Sequence, residues 1–149
     1  MIAYFTLVTF TLPPMVMVPD NSKIAEMHRV ATQIRKDRGL DSQELSKDLC
    51  QVSQKWAEHL AENHYFYHGG GENVIAVGYK TPQAAFNGWL SSPGHRYWIL
   101  SNTDQCGWGA AKSSNGTWYW VGTFRSSKVV ESPTRTYVPK RLFRFFGRR

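Results

Sequence analysis

The sequence predicts an α+β fold, with helices in the first half of the chain and strands in the second. Two segments between residues 22 and 63 carry apolar side chains at spacings of three and four, the period of an amphipathic helix. Between residues 106 and 124, two strand-like segments flank an Asn-Gly pair, which is a strong β-hairpin signal. Strands and helices do not alternate regularly, so we expect an antiparallel sheet covered by helices.

The first two predicted helices cover about residues 22–38 and 45–63. Polar residues before the first and Gly39 after it mark its ends, and Ser42 or Ser46 can cap the second. The apolar face of the first helix consists of Ile24, Met27, Ala31 and Ile34. That of the second consists of Leu45, Leu49, Val52, Trp56 and Leu60. We expect these two faces to pack on the sheet.

A loop, a short strand and two further helix starts follow. The glycines at 69–71 interrupt helical structure and lead into an apolar strand at 74–77. Thr81 is a good N-cap, and the proline after it suits the first helical position. Ser92 precedes a proline in the same way, so its side chain is also expected to cap a short helix rather than act as a nucleophile.

The predicted hairpin pairs residues 106–112 with 117–124. Trp118, Trp120 and Phe124 share one face at the period of two that a strand imposes. We interpret that face as core packed against a helix layer. Trp56 and Trp89, on two of the predicted helices, are expected to be largely buried together with Trp120.

Length and charge predict one neutral domain followed by a basic end. The 149 residues suffice for one domain, which we place at 22–126, between an apolar segment at 1–21 and a basic, aromatic tail at 127–149. Residues 125–149 hold eight Lys/Arg and one Glu, whereas residues 1–124 hold ten of each sign. The net charge of +7 therefore comes from the tail, and nucleic-acid binding by the domain is not expected.

The N-terminal segment is apolar but atypical of a secretory signal. Residues 1–18 carry no charged side chain, yet Pro13 and Pro14 interrupt the apolar stretch and no small-residue cleavage site follows. The interrupted apolar run is too short for a membrane-spanning helix, so none is expected there. A degenerate signal, an extended segment packed on the domain and a wrongly assigned start all remain open.

Cys50 and Cys106 are too few for a disulfide scaffold or a four-cysteine zinc site. They either form one disulfide bridge or are two small buried side chains, as free cysteines often are. The sequence does not decide between these alternatives.

Two histidines and one glutamate are the candidate site residues. His68 and Glu72 lie four residues apart across the glycines, and His95 follows the second Ser-Pro pair. Imidazole and carboxylate both suit Zn²⁺, and three protein ligands leave one open position. The spacing equally allows a carboxylate that accepts hydrogen bonds from backbone N–H groups beside two hydrogen-bonded histidines.

The remaining ionisable side chains of this region receive simpler interpretations. His28, His59 and His64 have no assigned role. His64 and His68 are four residues apart, but they would share a helix face only if the glycine-rich segment were helical, so a ligand pair is not expected there. Arg96 is expected to anchor a carboxylate or a backbone carbonyl rather than a substrate.

The order of these motifs resembles the CAP superfamily, which joins cysteine-rich secretory proteins, antigen 5 and plant pathogenesis-related proteins. The resemblance covers about residues 22–125 and is nearest to the compact bacterial-type SCP domains. It rests on the combination of Glu72-Asn73 after His68, the Ser92–Arg96 segment, the tryptophans and the Cys106–Gly109 hairpin start. It implies an α-β-α sandwich with a cleft lined by His68, Glu72 and His95. The usual second acid would fall near Leu90–Ser92, where no residue is acidic.

What the resemblance implies about function is a monomeric CAP-type binding module, secreted or on the cell surface. Its cleft would hold a divalent metal such as zinc and bind a lipid, a glycan, a cell-wall component or a protein. One alternative is a metal-assisted hydrolase with zinc-bound water between His68 and His95 and with Glu72 as base or ligand. Another is an inert domain that its basic tail delivers to an anionic membrane surface.

Overall fold

The computed structural model describes residues 21–127, which form four helices and four strands. In chain order these are α1 (Asn21–Lys36), β1 (Glu44–Leu45), α2 (Lys47–Asn63), β2 (Val74–Val77), α3 (Pro82–Ser91), α4 (Pro93–Ile99), β3 (Gln105–Lys112) and β4 (Trp118–Arg125). Within residues 21–127, no helix is long and apolar enough to cross a membrane. The expectations for the N-terminal segment and for the basic tail fall outside the described residues.

The strands form one sheet in the order β1-β3-β4-β2. Its body is antiparallel, as expected, because β3 and β4 form the hairpin and β2 runs antiparallel to β4. The short edge strand β1 runs parallel to β3, whereas the sequence analysis assigned Leu45 to the second helix. Hydrogen bonds to the β3 side, from Glu44 N–H to Asp104 O and from Ser46 N–H to Cys106 O, keep this segment extended before α2 begins.

Helices cover both faces of the sheet, so the fold is the expected α-β-α sandwich. On one face, α1, α3 and α4 pack around a core with three fully buried tryptophans. On the other face, α2 packs through Ala57, Leu60 and Ala61 on Ile75 and Val121. The α+β prediction is confirmed.

The buried face of α2 differs from the predicted one. Val52 is exposed and Trp56 is half-buried, whereas the polar residues Ser53 and Gln54 are buried. The reason lies in β3, where the Gln54 side chain donates to Ala110 O and accepts from Ala110 N–H, both at 3.0 Å. The Gln54 amide thus satisfies the backbone N–H and C=O of Ala110, which lie on the edge of β3 past the end of the short strand β1. It makes the hydrogen bonds that a neighbouring strand would make there.

Local signals placed the hairpin and the start of α3 correctly. Gly116 adopts a φ of +87°, and Ser113 N–H donates to Thr117 O to close the turn. Thr81 Oγ1 accepts the Ala84 N–H at 3.2 Å, the predicted cap. Trp89 and Trp120 are 1% and 0% exposed, as expected, and Trp56 is the exception.

The two cysteines are free thiols rather than a disulfide. Cys106 is fully buried, and burial raises the pKa of its thiol to about 12. Its Sγ lies 3.6 Å from His28 Nδ1, and burial also lowers the pKa of that imidazole. Both groups are therefore uncharged at neutral pH, which suits their position between α1 and the sheet.

Candidate functional site

The three predicted site residues lie together at one end of the sheet. His68 Nδ1 is 2.9 Å from Glu72 Oε1, and the centroids of the His68 and His95 rings are 6.0 Å apart with the rings nearly parallel. The Glu72 side chain is 1% exposed, whereas the His68 side chain is 53% exposed. The buried Glu72 carboxylate thus contacts the exposed His68 imidazole, which lies beside the imidazole of His95.

Backbone N–H groups of the glycine-rich loop hold the Glu72 carboxylate. Gly69 N–H donates to Oε1 at 3.2 Å, and Gly70 N–H donates to Oε2 at 2.7 Å. These two donors use both carboxylate oxygens, and hydrogen bonds to the charged form offset the cost of burying it. This is the loop-carboxylate arrangement that the sequence analysis weighed beside a zinc ligand.

Two of the glycines meet steric requirements of this loop. A Cβ on Gly70 would lie 2.3 Å from the Trp56 indole, so the loop backbone packs directly on that ring. Gly71 has a φ of +82°, which side chains other than glycine rarely adopt. The half-buried Trp56 is therefore the floor of the His68–Glu72 loop rather than part of the main core.

His95 reaches the site from the first turn of α4. Burial, and then the neighbouring His68, lower the pKa of its imidazole, so His95 is neutral at pH 7 and has one nitrogen available as an acceptor. Ser92 occupies the N-cap position of this helix, but its side chain makes no capping hydrogen bond, contrary to the prediction. Together with His95 it borders a cavity instead.

That cavity has a volume of about 340 Å³ and lies between the β2 edge and helices α3 and α4. Most of its lining residues were not predicted from the sequence. The lining residues share an apolar or aromatic character apart from Ser92 and His95, and they are Phe66, Ile75, Ala76, Val77, Tyr79, Gly88 and Trp89. Phe66 and Tyr79 are 56% and 38% exposed, and large exposed aromatics often mark a binding surface. In the sequence, the signal for Phe66 was the run of aromatic residues at 65–67 before the glycine-rich loop.

The other histidines of the region have structural partners. His59 stacks on Trp56 and lies 3.0 Å from the Tyr67 hydroxyl through Nε2. His64 ends α2 in the left-handed conformation, so it does not share a helix face with His68. Arg96 donates to the backbone carbonyl of Leu90 at 3.1 Å, one of its two expected roles.

If a metal binds here, two imidazoles rather than three mixed ligands would hold it. Across residues 21–127, no group of three or more His, Cys, Asp or Glu side chains is placed to hold a metal ion. Glu72 accepts from the loop backbone through both oxygens, and its Oε1 lies 2.9 Å from His68 Nδ1, on the side of the ring where carboxylates behind metal-binding histidines lie. A zinc ion here would be held by His68 Nε2 and by His95, with Glu72 orienting His68.

The zinc hypothesis stays a prediction with a direct test. We expect zinc to raise the thermal midpoint by mass action, because it would bind the folded site and not the unfolded chain. The rise should be lost in His68→Ala and in His95→Ala, and differential scanning fluorimetry with and without zinc measures it. An equal rise in His59→Ala and in both site variants would place the metal elsewhere.

The family model for CAP, the cysteine-rich secretory protein family, matches residues 28–124. Among curated proteins, none matches the sequence closely enough to count as a relative. Three similar solved structures share the fold. The first is an outer surface protein from Borrelia burgdorferi, at a TM-score of 0.65 and 21% identity, over 74% of this chain and 97% of that one.

The second is an extracellular protein with an SCP domain from Bacillus anthracis, at a TM-score of 0.56 and 18% identity, over 79% of this chain and 45% of that one. The third is MpPR-1i, at a TM-score of 0.54 and 20% identity, over 82% of this chain and 99% of that one. At these identities the structures establish the fold, and the family match covers most of the described residues. The chain belongs to the CAP family of cysteine-rich secretory proteins.

Proposed function

We propose that this chain is an extracellular binding module whose cleft, formed by His68, Glu72, His95 and the adjoining cavity, binds a lipid, glycan, cell-wall component or protein. The observation that supports it is the buried Glu72 carboxylate, which fixes His68 beside His95 at the cavity. Burying a charged carboxylate costs free energy, because the group loses its solvation. A loop that nevertheless buries Glu72 is most simply explained by a need to position His68. The outer-surface and extracellular descriptions of two structural neighbours support the location.

A binding screen that maps contacts onto the structure tests this proposal. Isotope-labelled protein is titrated with four probes: a lysophospholipid, a chitin tetrasaccharide, a soluble peptidoglycan fragment and a capped peptide. We expect one probe to shift the amide signals of His68, His95, Phe66 and Tyr79 in a saturable way. Shifts confined to another cavity, such as the one of about 440 Å³ between Glu58, Glu62 and Lys112, would contradict the proposal.

The variant Glu72→Gln sharpens the test. An amide in place of the carboxylate presents an NH₂ group to one of the backbone donors that Glu72 now satisfies, so the loop should loosen around His68. We expect at least tenfold weaker binding of the probe identified in the screen. His59→Gln is the matched control, because His59 packs on the same Trp56 ring outside the cleft.

A hydrolase that uses the same cleft is the second candidate, and the His68–Glu72 pair favours it. A carboxylate 2.9 Å from Nδ1 favours the tautomer that carries its proton there, which leaves Nε2 to accept a proton from water as the water oxygen attacks a substrate. Zinc bound at His68 Nε2 would occupy that nitrogen, so in a zinc-loaded site the metal, and not His68, would activate the water. Hydrolysis of ester, peptide or glycan reporters that falls at least a hundredfold in His68→Ala would favour this candidate over binding alone.

The tail carries the third candidate, anchoring at an anionic surface. Residues 140–149, outside the described part of the chain, combine five basic residues with four large apolar ones. Each basic residue near an anionic bilayer contributes about 1 kcal/mol, and salt screens that attraction. We expect vesicles rich in phosphatidylserine to bind the full chain at low salt, and much less at high salt or after deletion of 140–149. Equal sedimentation of the full and shortened chains would exclude the tail as an anchor.

A further inference from the structure

One backbone donor and one backbone acceptor of the edge strand β2 face the cavity side by side. Gly78 N–H donates to Trp118 O at 2.9 Å, and the register places Ala76 opposite Trp120. Because bonded and non-bonded residue pairs alternate along antiparallel strands, the N–H and C=O groups of Val77 point away from β4. Val77 lines the cavity and is half-buried, so this pair of groups borders the space that a ligand would occupy.

The edge on either side of Val77 is bounded by aromatic side chains. Ile75 is 2% exposed, and its outward carbonyl accepts the Trp89 indole N–H at 2.9 Å. Past Val77, the Tyr79 ring reaches α3, because a Cβ on Gly88 would lie 2.4 Å from the Tyr79 hydroxyl oxygen. In the part of the chain that the structure describes, no hydrogen bond engages the Val77 N–H or C=O. The opening therefore admits one group at Val77 rather than a longer strand.

The same fold shows which chemical group satisfies such a pair. On the edge of β3, the N–H and C=O of Ala110 are both bonded by the side-chain amide of Gln54, each at 3.0 Å. A primary carboxamide can do this because one of its N–H bonds lies on the same side as its C=O, as the two groups of an extended residue do. In a trans secondary amide the N–H and the C=O point in opposite directions. An acetamido sugar or a single peptide link would therefore bond only one of the two groups of Val77.

The lining of the cavity favours a small neutral group on an apolar body. No Asp, Glu, Lys or Arg is among the described lining residues. A carboxylate would place an acceptor against the Val77 carbonyl, and an ammonium group would offer the Val77 N–H no acceptor. The rings of Phe66, Tyr79 and Trp89 offer apolar surface beside that pair. The volume of about 340 Å³ lies at the lower end of the range for ligand pockets, about 300 to 1,000 Å³, which suits one such group.

We propose that the cavity at Val77 is a subsite for a primary carboxamide carried on an apolar or aromatic body, with the carboxamide bonded to both the N–H and the C=O of Val77. This names the chemical group that a ligand of the binding module presents, so it rests on the proposed function. The group has two sources, the side chain of a glutamine in a protein partner and a small aromatic amide. Val77 recognises the chemistry that they share, and separate probes distinguish them.

Benzamide and N-methylbenzamide are the first matched probes. The added methyl group keeps the ring and the carbonyl but replaces the N–H that lies beside the oxygen. Titration of isotope-labelled protein with benzamide should shift the Val77 amide signal in a saturable way and slow its hydrogen exchange. N-methylbenzamide should bind at least tenfold more weakly.

A second pair of probes tests the protein source. It consists of capped glutamine and the same compound with a methyl group on the side-chain nitrogen. A tenfold preference for the unmethylated side chain would assign the subsite to a glutamine of a protein partner. The same preference in the benzamide pair alone would assign it to a small aromatic amide. Equal affinities within both pairs would overturn the proposal.

A variant pair tests the same subsite from the protein side. Val77→Pro removes an N–H that the described fold does not use, and proline is tolerated on edge strands with that side free. We expect its affinity for the preferred carboxamide to fall at least fivefold, whereas Val77→Thr keeps the N–H and should retain the preference for the unmethylated probe. Unchanged affinity in a folded Val77→Pro would overturn the proposal. Should Val77→Pro unfold, the methylated probes still decide the question on the unchanged protein.

The proposal and the function on which it rests fail in different ways. Saturable cleft shifts with the chitin tetrasaccharide or the lysophospholipid, and none with either carboxamide, would overturn the carboxamide subsite and leave the binding module standing. Carboxamide-induced shifts on another surface, with no probe bound at the cleft, would overturn both.

Discussion

Replacing Trp89 by Ala is expected to lower the free energy of unfolding by about 3 to 5 kcal/mol, the range for a large buried side chain. The indole is 1% exposed and packs edge-on against Phe86 and nearly parallel to Trp108. Its N–H also satisfies the Ile75 carbonyl. The truncation therefore removes core packing and leaves a buried acceptor unpaired in the same place.

A second variant separates these two contributions. Trp89→Phe keeps much of the apolar volume but loses the donor, so we expect a smaller loss, about 1 to 3 kcal/mol, from the unpaired carbonyl and the smaller ring. Urea unfolding monitored by circular dichroism measures both variants. A loss below about 1 kcal/mol for Trp89→Ala would show that α3 does not pack on the sheet through this residue.

Structure that depends on a few neighbouring residues could be predicted from the sequence. The Thr81-Pro82 start of α3 and the Asn115-Gly116 turn are local signals, and both occur as predicted. Strand β1 could not be predicted, because its two residues are extended only through hydrogen bonds to the distant strand β3. The spacing of apolar residues was the only guide at this position, so the predicted second helix included Leu45.

The orientation of α2 illustrates a second limit of sequence patterns. The spacing of apolar residues placed Val52 on its buried face, yet Ser53 is buried and Val52 is exposed. A small polar side chain fits because β3 offers glycine beneath it, and Ser53 Oγ donates to the Gly107 carbonyl at 3.1 Å. Which residues of α2 are buried therefore depends on the strand that faces the helix. The spacing of apolar residues within α2 carries no information about that strand.

The candidate site came only partly from residue chemistry. Residue types grouped His68, Glu72 and His95, but they suggested a zinc site as readily as a carboxylate bonded to backbone donors, and only the family resemblance placed all three in one cleft. The role of Glu72 in orienting His68 depends on the loop lying on Trp56, through a contact between Trp56 and Gly70. The cavity required the tertiary structure, because its lining residues come from β2, α3 and α4 and meet only in the fold.

Replacing Gly109 by Ala is expected to destabilise the fold by about 3 kcal/mol, at the upper end of the usual cost of overpacking. A Cβ there would lie 2.3 Å from the backbone carbon and oxygen of Ser53, and backbone cannot move aside as a side-chain end can. Gly107 meets the backbone of Leu49 in the same way, so α2 rests directly on this strand.

The Gly109→Ala substitution should displace the whole of α2 and not only the contact at residue 109. Moving α2 outward would stretch both Gln54 hydrogen bonds to Ala110, so we expect the Ala110 amide to lose hydrogen-exchange protection in Gly109→Ala. Gly94→Ala is the matched control, because Gly94 is exposed in α4 and a Cβ there meets nothing within 4 Å. Chemical denaturation of the two variants side by side measures the difference. Equal stabilities would mean that α2 sits farther from β3 than the glycine contacts require.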